Sequence, residues 1–283
     1  MKLPFIFAKR FVAGESFTES IPKAKALNNK DLKLTLDLLG ENVKDRETAI
    51  ETVDSYIRLL EGIKEHGLIS SISIKLTMLG LDIDNDFCRE NLFRLLHVAK
   101  EQDQFVRIDM ESSTNTQITI DIFKEAFEKY GKHVGVVIQS MLFRSKEDIN
   151  ELAEMGADIR LVKGAYKESS KIAFQDMPAI REAFKEQAKV LLEKTPFPRF
   201  GTHDDELLEW LKSYTSENNI PKDRFEFQML YGLREETMIQ LSDEGYSARV
   251  YVPFGTDWFP YFTRRLMERK ENIWFVLSTM LKK

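Results

Sequence analysis

Charged and amide side chains stand near the ends of several apolar runs in this sequence, where they could bind a ligand or take part in catalysis. The runs read SISIKL, FVRIDM, VVIQ, RLVKGAY and FEFQML, and their polar members are Lys75, Arg107, Asp109, Gln139, Arg160, Lys163, Glu226 and Gln228. Strands of a parallel sheet are covered on both faces, so a charge within one is costly unless it is used. We expect these side chains at the carboxyl ends of strands, where together they favour a site. Any one of them taken alone could instead belong to a buried ionic network.

Two arginines share one face of a helix predicted near the end of the sequence. A helix that starts near Asp257 places Tyr261, Arg264, Arg265 and Glu268 at positions i, i+3, i+4 and i+7. Paired guanidinium groups suit a carboxylate, and aromatic rings supply an apolar wall for a small organic body. The alternative is a solvated helix face with an Arg264–Glu268 pair, but the aromatic density of the surrounding segment favours the site.

Two further loops could receive an anionic ligand. In RLVKGAY, Gly164 and Ala165 let the backbone approach a flat or phosphorylated ligand closely, although a simple turn would have the same sequence. In GTHDDE, Thr202 and His203 lie at a strand end and Asp204 is the predicted N-cap of the next helix, whose backbone amides could face an anion. We expect no metal, because no group of His, Asp or Glu has the spacing of metal ligands.

These residues require a scaffold in which strands and helices alternate. The predicted strands are residues 11–14, 71–76, 105–110, 133–139, 158–162, 199–202, 224–230 and 248–252. The predicted helices between them are 47–66, 87–100, 118–130, 146–155, 180–194, 204–217 and 235–243. Eight alternating units in 283 residues favour a closed (βα)₈ barrel. An open, doubly wound sheet is the alternative, but no strand precedes a Gly-x-Gly-x-x-Gly turn or a Walker loop.

The composition argues against several other classes of protein. The chain is 43% hydrophobic and 31% charged with a net charge of −5, which argues against disorder and against nucleic acid as a partner. The single cysteine, Cys88, cannot form an internal disulfide, which fits a reducing compartment. No stretch approaches the roughly 18 apolar residues of a membrane span, and MKLPFIFAKRF lacks the features of a secretory signal. We therefore expect one domain, residues 1–283, in the cytoplasm.

Nine segments, in this order, resemble the proline dehydrogenase family in its monofunctional bacterial form. They are FVAGES, LDLLGENV, SIKLTMLGLD, RIDMES, VIQSML, RLVKGAYKES, THDDE, FEFQMLYG and YVPFGTDWFPYFTRRLMER. The resemblance implies a distorted, FAD-binding (βα)₈ barrel of the TIM type. It also implies an additional N-terminal helical segment and a final helix that carries substrate-binding arginines.

The resemblance further implies an activity and its partners. FAD-dependent oxidation of L-proline to Δ1-pyrroline-5-carboxylate would be the first step of proline catabolism to glutamate, with electrons passed to a membrane quinone. A separate pyrroline-5-carboxylate dehydrogenase would act downstream. Peripheral contact with the inner face of the membrane is left open, because segment 272–283 is apolar with a dibasic end. A helix packed on the barrel is favoured there, since the segment is short.

Residue roles follow from the resemblance, motif by motif. The substrate-binding positions are the carboxylate ligands Lys75, Arg264 and Arg265, the acid Glu268 that braces the arginines, and the pocket walls Tyr166, Leu230, Tyr251 and Tyr261. The catalytic positions are Asp109 and Arg160, with Arg160 near flavin N5 and Tyr251 at the C4 edge of bound proline. The FAD-binding positions are Met110, Gln139, Arg160, Lys163, Gly164, Ala165, Thr202, His203 and Gln228.

The sequence departs from the family pattern at four positions. Lys167 and Glu168 stand where Trp and Asp are common beside the flavin, and Asp204 and Arg269 stand where Asn is common. Two other functions remain as alternatives. A methylenetetrahydrofolate reductase-like flavin barrel would lack the arginine pair, and an amino-acid sensor on the same fold could lose Gln139 and Arg160, which are both present.

Overall fold

Eight parallel strands form a closed ring at the centre of the molecule. The computed structural model describes residues 5–268, without the side chains of 266–268. The strands are β1 (Lys33–Leu38), β2 (Ser70–Ile74), β3 (Val106–Ile108), β4 (Val134–Gln139), β5 (Asp158–Val162), β6 (Arg199–Gly201), β7 (Glu226–Leu230) and β8 (Ser247–Phe254). Each strand pairs with the next in chain order, and β8 pairs with β1 to close the barrel. This topology confirms the predicted (βα)₈ fold.

Helices cover the outside of the barrel. They are α1 (Phe17–Asn28), α2 (Arg46–Glu65), α3 (Asn85–Glu101), α4 (Ser113–Tyr130), α5 (Ser145–Glu154), α6 (Met177–Lys194), α7 (Asp205–Glu217), α8 (Glu235–Asp243) and α9 (Trp258–Glu268). Asp45, Asp84 and Asp176 cap the first turns of α2, α3 and α6 with their carboxylates. Helices α2 to α8 match the predicted ones within a few residues, and α1 is the expected N-terminal helical segment. No helix within residues 5–268 is long and apolar enough to span a membrane.

The first strand is the one element that the sequence prediction placed wrongly. Residues 11–14 are not a strand, although the backbone of Ala13 donates to Pro253 and that of Gly14 accepts from Gly255. Phe11 is buried because it packs against α9: its ring lies 6.3 Å from that of Phe262. The first strand is instead β1.

The N-terminal segment, residues 5–14, supports the last helix of the barrel. A short 3₁₀ helix, Phe5–Phe7, leads into Phe11, and both contribute to a small apolar cluster with Trp258 and Phe262 of α9. The ring centres of Phe5 and Trp258 lie 5.7 Å apart in an edge-to-face arrangement. This cluster fixes one face of α9, the helix that carries the predicted arginines. Segment 272–283 lies outside the described residues.

The interior of the barrel is polar at both ends. At the amino end, a layer of five charged side chains fills the barrel and will be called the lower ionic layer; its members are Arg107, Asp158, Arg199, Glu226 and Arg249. Arg199 bridges Asp158 at 2.7 Å and Glu226 at 2.9 Å. Arg249 donates to Glu226 at 2.7 Å, and Arg107 pairs with Asp158.

Two sequence predictions are corrected by the lower ionic layer. Arg107 and Glu226 were expected at the carboxyl ends of their strands, and they lie at the amino end instead. The Arg107 guanidinium of β3 passes over Gly135 of β4, where a Cβ atom would lie 2.4 Å from its Nη1, and reaches Asp158 of β5. Both residues belong to a buried ionic network, which is the alternative given above for any one of these charges taken alone.

Candidate active site

A cavity of about 940 Å³ opens at the carboxyl ends of the strands. Its volume is at the upper end of the range for small-molecule sites. Most of the predicted site residues line it: Lys75, Asp109, Met110, Arg160, Lys163, Gly164, Ala165, Tyr166, Thr202, His203, Gln228, Leu230, Tyr251, Tyr261, Arg264 and Arg265. The structure therefore brings together residues that are up to 190 positions apart in the sequence.

Asp109 is the centre of a hydrogen-bond cluster on the cavity floor. One of its oxygens, Oδ1, accepts from Arg160 at 2.8 Å and from Ser73 at 3.0 Å. The other oxygen, Oδ2, accepts from the Tyr251 hydroxyl at 2.6 Å. Burial and the Asp109 charge raise the pKa of Tyr251 well above its ordinary value, so this phenol stays protonated. The Arg160 guanidinium lies 5.3 Å from the centre of the Tyr251 ring.

Lys75 forms a buried ion pair with Asp37 of β1. The Lys75 ammonium lies 3.1 Å from Asp37 Oδ1, and the two side chains are 9% and 1% exposed. Burial lowers the pKa of Lys75, but the charges of Asp37 and Asp109 outweigh burial and raise it above the ordinary value. Lys75 is therefore a fixed cation at the edge of the cavity.

Helix α9 brings both predicted arginines to the cavity. Arg264 donates to Glu41 at 2.8 Å, and Glu41 follows β1 at the cavity rim. The Arg265 guanidinium lies 5.2 Å from the centre of the Tyr261 ring, one turn earlier on the same face. The predicted common face of Tyr261, Arg264 and Arg265 is confirmed. The side chain of Glu268 lies outside the described residues.

A second cationic pair lies at another part of the cavity wall. Lys163 and Arg181 both donate to Asp204 Oδ2, at 2.8 and 3.0 Å. Burial disfavours the Asp204 charge, but the hydrogen bonds from Arg181 and Lys163 outweigh it and lower its pKa to about 2. Asp204 also accepts from the Glu206 backbone, which confirms it as the N-cap of α7.

Three predicted ligand-binding side chains make structural contacts. Gln139 does not line the cavity; its amide joins the Glu111 carbonyl at 2.9 Å to the Ala165 N–H at 3.3 Å and so supports the RLVKGAY loop from behind. His203 Nε2 accepts from the Leu230 backbone at 2.9 Å. Gln228 lines the cavity and donates to Glu226 at 2.6 Å, which links the cavity floor to the lower ionic layer.

Several charged residues of the cavity were given no role from the sequence, among them Asp37, Glu41 and Arg181. Asp37 and Glu41 belong to LDLLGENV, a segment that carried the resemblance but was assigned neither a strand nor a role. The signal available was one carboxylate inside a leucine-rich run. Arg181 stands on α6, well after the end of β5 in the sequence, and nothing in its local sequence indicates a role in the site. Within residues 5–268, no three His, Cys, Asp or Glu side chains are grouped to hold a metal ion.

Fold and site together define an α/β-barrel enzyme with its cavity at the carboxyl ends of the strands. The family model described as "Proline dehydrogenase" matches residues 20–277. The chain belongs to the proline dehydrogenase family.

Individual relatives agree with this assignment. Proline dehydrogenase 2 of Bacillus subtilis is 42% identical over 98% of this chain and 91% of its own length. Proline dehydrogenase of Deinococcus radiodurans is 37% identical over 97% of this chain and 90% of its own. Among solved structures, proline utilization A of Bdellovibrio bacteriovorus, inactivated by N-propargylglycine, superposes with a TM-score of 0.86 at 27% identity. That match covers 93% of this chain and 33% of the larger protein, so this chain spans about a third of that structure's length.

Proposed function

We propose that this protein oxidises L-proline to Δ1-pyrroline-5-carboxylate with FAD, the first step of proline catabolism, and passes the electrons to a membrane quinone. A separate dehydrogenase would then consume the product, and the enzyme would work in the cytoplasm on a single barrel domain. Family membership supports the reaction. The observation that carries it is the convergence of Lys75, Arg264 and Arg265 on the cavity that also contains Arg160.

The three cations suit the carboxylate of an amino acid. Arg264 and Arg265 carry planar donor forks, and Lys75 adds a compact charge from the end of β2. The Asp109 carboxylate accepts its hydrogen bonds from Arg160, Ser73 and Tyr251. A carboxylate held in this way would fix which carbon of the proline ring faces the cofactor.

The residues present fit a flavin dinucleotide. Arg160 Nε is buried and has no hydrogen-bond partner among the described residues, so it offers a donor to a ligand atom. Gly164 lines the cavity with φ +124°, and a Cβ there would lie 2.4 Å from Met141 Sδ, so this position of the loop requires glycine. Lys163 and Arg181 would bind the phosphate groups of the dinucleotide. The remaining cofactor positions are Met110, Gln139, Ala165, Thr202, His203 and Gln228.

The chain's own part in the reaction is binding, orientation and electrostatics. FAD supplies the two-electron acceptor. Arg160, fixed by Asp109 and Ser73, places positive charge where electron density would arrive. The pocket surface around the substrate ring would be formed by Tyr166, Leu230, Tyr251 and Tyr261. Burial raises the pKa of Tyr166 to about 12, so this side chain stays uncharged. Proline would enter as the free amine, and no side chain is assigned as a general base.

The carboxylate site formed by Lys75, Arg264 and Arg265 will be called the clamp. The variants Arg264→Met and Arg265→Met test it. We expect each to raise KM for L-proline at nearly unchanged flavin content, because removing a charge-assisted pair from a desolvated pocket costs about 2–5 kcal/mol. Arg144→Met is the matched control, since Arg144 pairs with Asp148 outside the cavity. Normal KM values in both cavity variants would show that the clamp is assigned wrongly.

The visible spectrum tests the activity itself. We expect the purified protein to absorb as an oxidised flavin and to bleach on addition of L-proline without air. A protein that bleaches with NADH and not with proline would be the reductase-like alternative. A protein without flavin absorption that still binds proline would be the amino-acid sensor.

A further inference from the structure

We propose that Asp37 is a positioning residue for the substrate carboxylate, because it keeps Lys75 in its ammonium form and holds that ammonium at the cavity. This inference rests on the proposed function, since it takes a carboxylate substrate as given. It adds a residue to which the sequence and the resemblance gave no role.

The geometry singles out Asp37 as the counter-ion of Lys75. Strands β1 and β2 are adjacent, and Asp37 is in register with Ser73, two residues before Lys75. The ion pair of 3.1 Å lies at the cavity and is nearly closed to solvent. An ammonium group has three N–H donors, so Lys75 can hold Asp37 and still donate to a substrate carboxylate.

Other charged or titratable groups also face Lys75, from several elements. They are Asp109 after β3, Glu111 in the following loop, Tyr56 of α2 and Tyr166 after β5. None of them replaces Asp37. Within residues 5–268 no other carboxylate forms an ion pair with Lys75.

Each of these neighbours is committed elsewhere or uncharged. Asp109 is paired with Arg160, and Glu111 accepts from the hydroxyl and backbone N–H of Thr77 at 2.6 and 3.1 Å. The Tyr56 hydroxyl contacts Met78 Sδ, and burial raises the pKa of Tyr56 above its ordinary value, so it stays uncharged. Among the described residues, Asp37 is the one carboxylate that forms an ion pair with Lys75, and Asp109 adds its charge without such a contact.

Burial by itself favours the neutral amine form of Lys75 and lowers its pKa. Buried lysines without a counter-ion can have pKa values as low as about 5–6. In wild type, the charges of Asp37 and Asp109 overcome this effect and raise the pKa of Lys75. Without Asp37 we expect the pKa of Lys75 to fall into or below the neutral range. Carboxylate binding would then be retained below that pKa and lost as the pH rises through it.

The test uses a ligand that has the carboxylate but no amine. Tetrahydrofuran-2-carboxylate has ring oxygen in place of the proline nitrogen, so any pH dependence of its binding between about pH 6 and pH 10 comes from the protein. We expect its inhibition constant against the wild-type holoenzyme to be flat over this range. In Asp37→Asn it should weaken about tenfold per pH unit above the lowered pKa.

Second variants separate the charge of Lys75 from damage to the fold. Lys75→Arg in the Asp37→Asn background should restore a flat profile, because a guanidinium does not deprotonate in this range. Asp37→Glu keeps the negative charge and should also stay flat. Asp205→Asn removes an acid that lines the same cavity but pairs with Arg234, and its profile should keep the wild-type shape.

The outcomes distinguish this inference from the proposed function. A wild-type enzyme that neither binds the analogue nor bleaches with L-proline contradicts the proposed function. A functional wild type with a flat profile in Asp37→Asn overturns the role of Asp37. So does a pH-dependent loss of binding in Asp37→Glu, or in the double variant with Lys75→Arg.

Discussion

Asp109 links the polar groups of the cavity floor into one unit. Its carboxylate holds the Arg160 guanidinium, the Ser73 hydroxyl and the Tyr251 hydroxyl at the same time. A side chain with both oxygens engaged restricts the rotamers of its partners, and charge-assisted hydrogen bonds are stronger than neutral ones. Arg160 and Tyr251 are therefore held in place before any ligand binds, which is the condition for electrostatic preorganisation.

The Tyr251 ring should govern which substituents the substrate ring can carry. We expect Tyr251→Ser to raise kcat/KM for trans-4-hydroxy-L-proline relative to L-proline by about 10- to 200-fold, because a rigid aromatic wall crowds the added hydroxyl and leaves it without a partner. Measuring kcat/KM for both substrates in wild type and variant checks this. An unchanged ratio, with both activities lowered alike, would mean that Tyr251 only supports the floor.

Glu168 joins two loops at the carboxyl end of the barrel. It lies in the loop between β5 and α6, and its carboxylate accepts from the backbone and the hydroxyl of Ser113 at 2.8 and 2.6 Å. Ser112, the N-cap of α4, makes no side-chain cap of its own, so Glu168 caps that helix from a distant loop. The unusual Lys167-Glu168 pair thus has a structural consequence: it anchors the loop that carries Tyr166.

Removing this anchor should loosen the loop and weaken α4. We expect Glu168→Ala to reduce the free energy of unfolding by about 1 kcal/mol, as for loss of a helix cap, and to increase proteolytic cleavage within residues 165–175. Urea denaturation and limited proteolysis measure the two effects. Lys167→Ala is the control at the neighbouring exposed position. Equal cleavage in the two variants would contradict the anchoring role.

Strands and helices could be predicted where the residue pattern is typical of only one kind of element. The seven later strands are β-branched or aromatic runs bounded by turns, followed by helices of clear period. In β1, Lys33, Thr35 and Asp37 alternate with leucine, a pattern typical of a sheet with one face in water. The polar face of β1 is buried instead, where Thr35 contacts Ser71 at 3.0 Å and Asp37 contacts Lys75.

The position of each charge along the barrel axis could not be predicted from the sequence. Arg107 and Asp109 stand two residues apart on one face of the same chain segment, about 7 Å along the strand. That distance places Arg107 in the lower ionic layer and Asp109 on the cavity floor. Which layer a residue joins depends on the register of all eight strands. By contrast, the arginines of α9 were predictable, because helical spacing alone determines that they share a face.

The lower ionic layer should make the whole molecule sensitive to acid. Burial disfavours the charge on Glu226, but Arg249 and Arg199 outweigh it and hold the pKa of Glu226 well below its ordinary value. The folded protein thus keeps this carboxylate ionised at pH values where the unfolded chain takes up a proton. Its contribution to stability is fully present above the ordinary carboxyl pKa of about 4 and is lost as the pH falls through the folded-state pKa.

Neutralising Glu226 tests that contribution. We expect Glu226→Gln to lower the free energy of unfolding at neutral pH by about 3–5 kcal/mol, because Arg249 loses its carboxylate partner in the barrel and Arg199 keeps only Asp158. The decline in stability below about pH 4 should also become shallower in the variant. Denaturant titrations at several pH values check both effects. Glu182→Gln on the surface is the control, and a loss of stability no larger than in that control would show that the layer contributes little.

The contact between residues 5–14 and α9 also bears on how the protein is made. The ribosome releases this segment before any strand of the barrel, yet its aromatic partners, Trp258 and Phe262, follow about 250 residues later. At about 5–20 residues per second, Phe11 waits roughly 10 to 50 s for the surface on which it is buried. During translation this segment is therefore an exposed apolar strip that chaperones could hold. Helix α9 gains this support only after all eight strands have been made, so we expect the side of the cavity that carries Arg264 and Arg265 to form later than the rest.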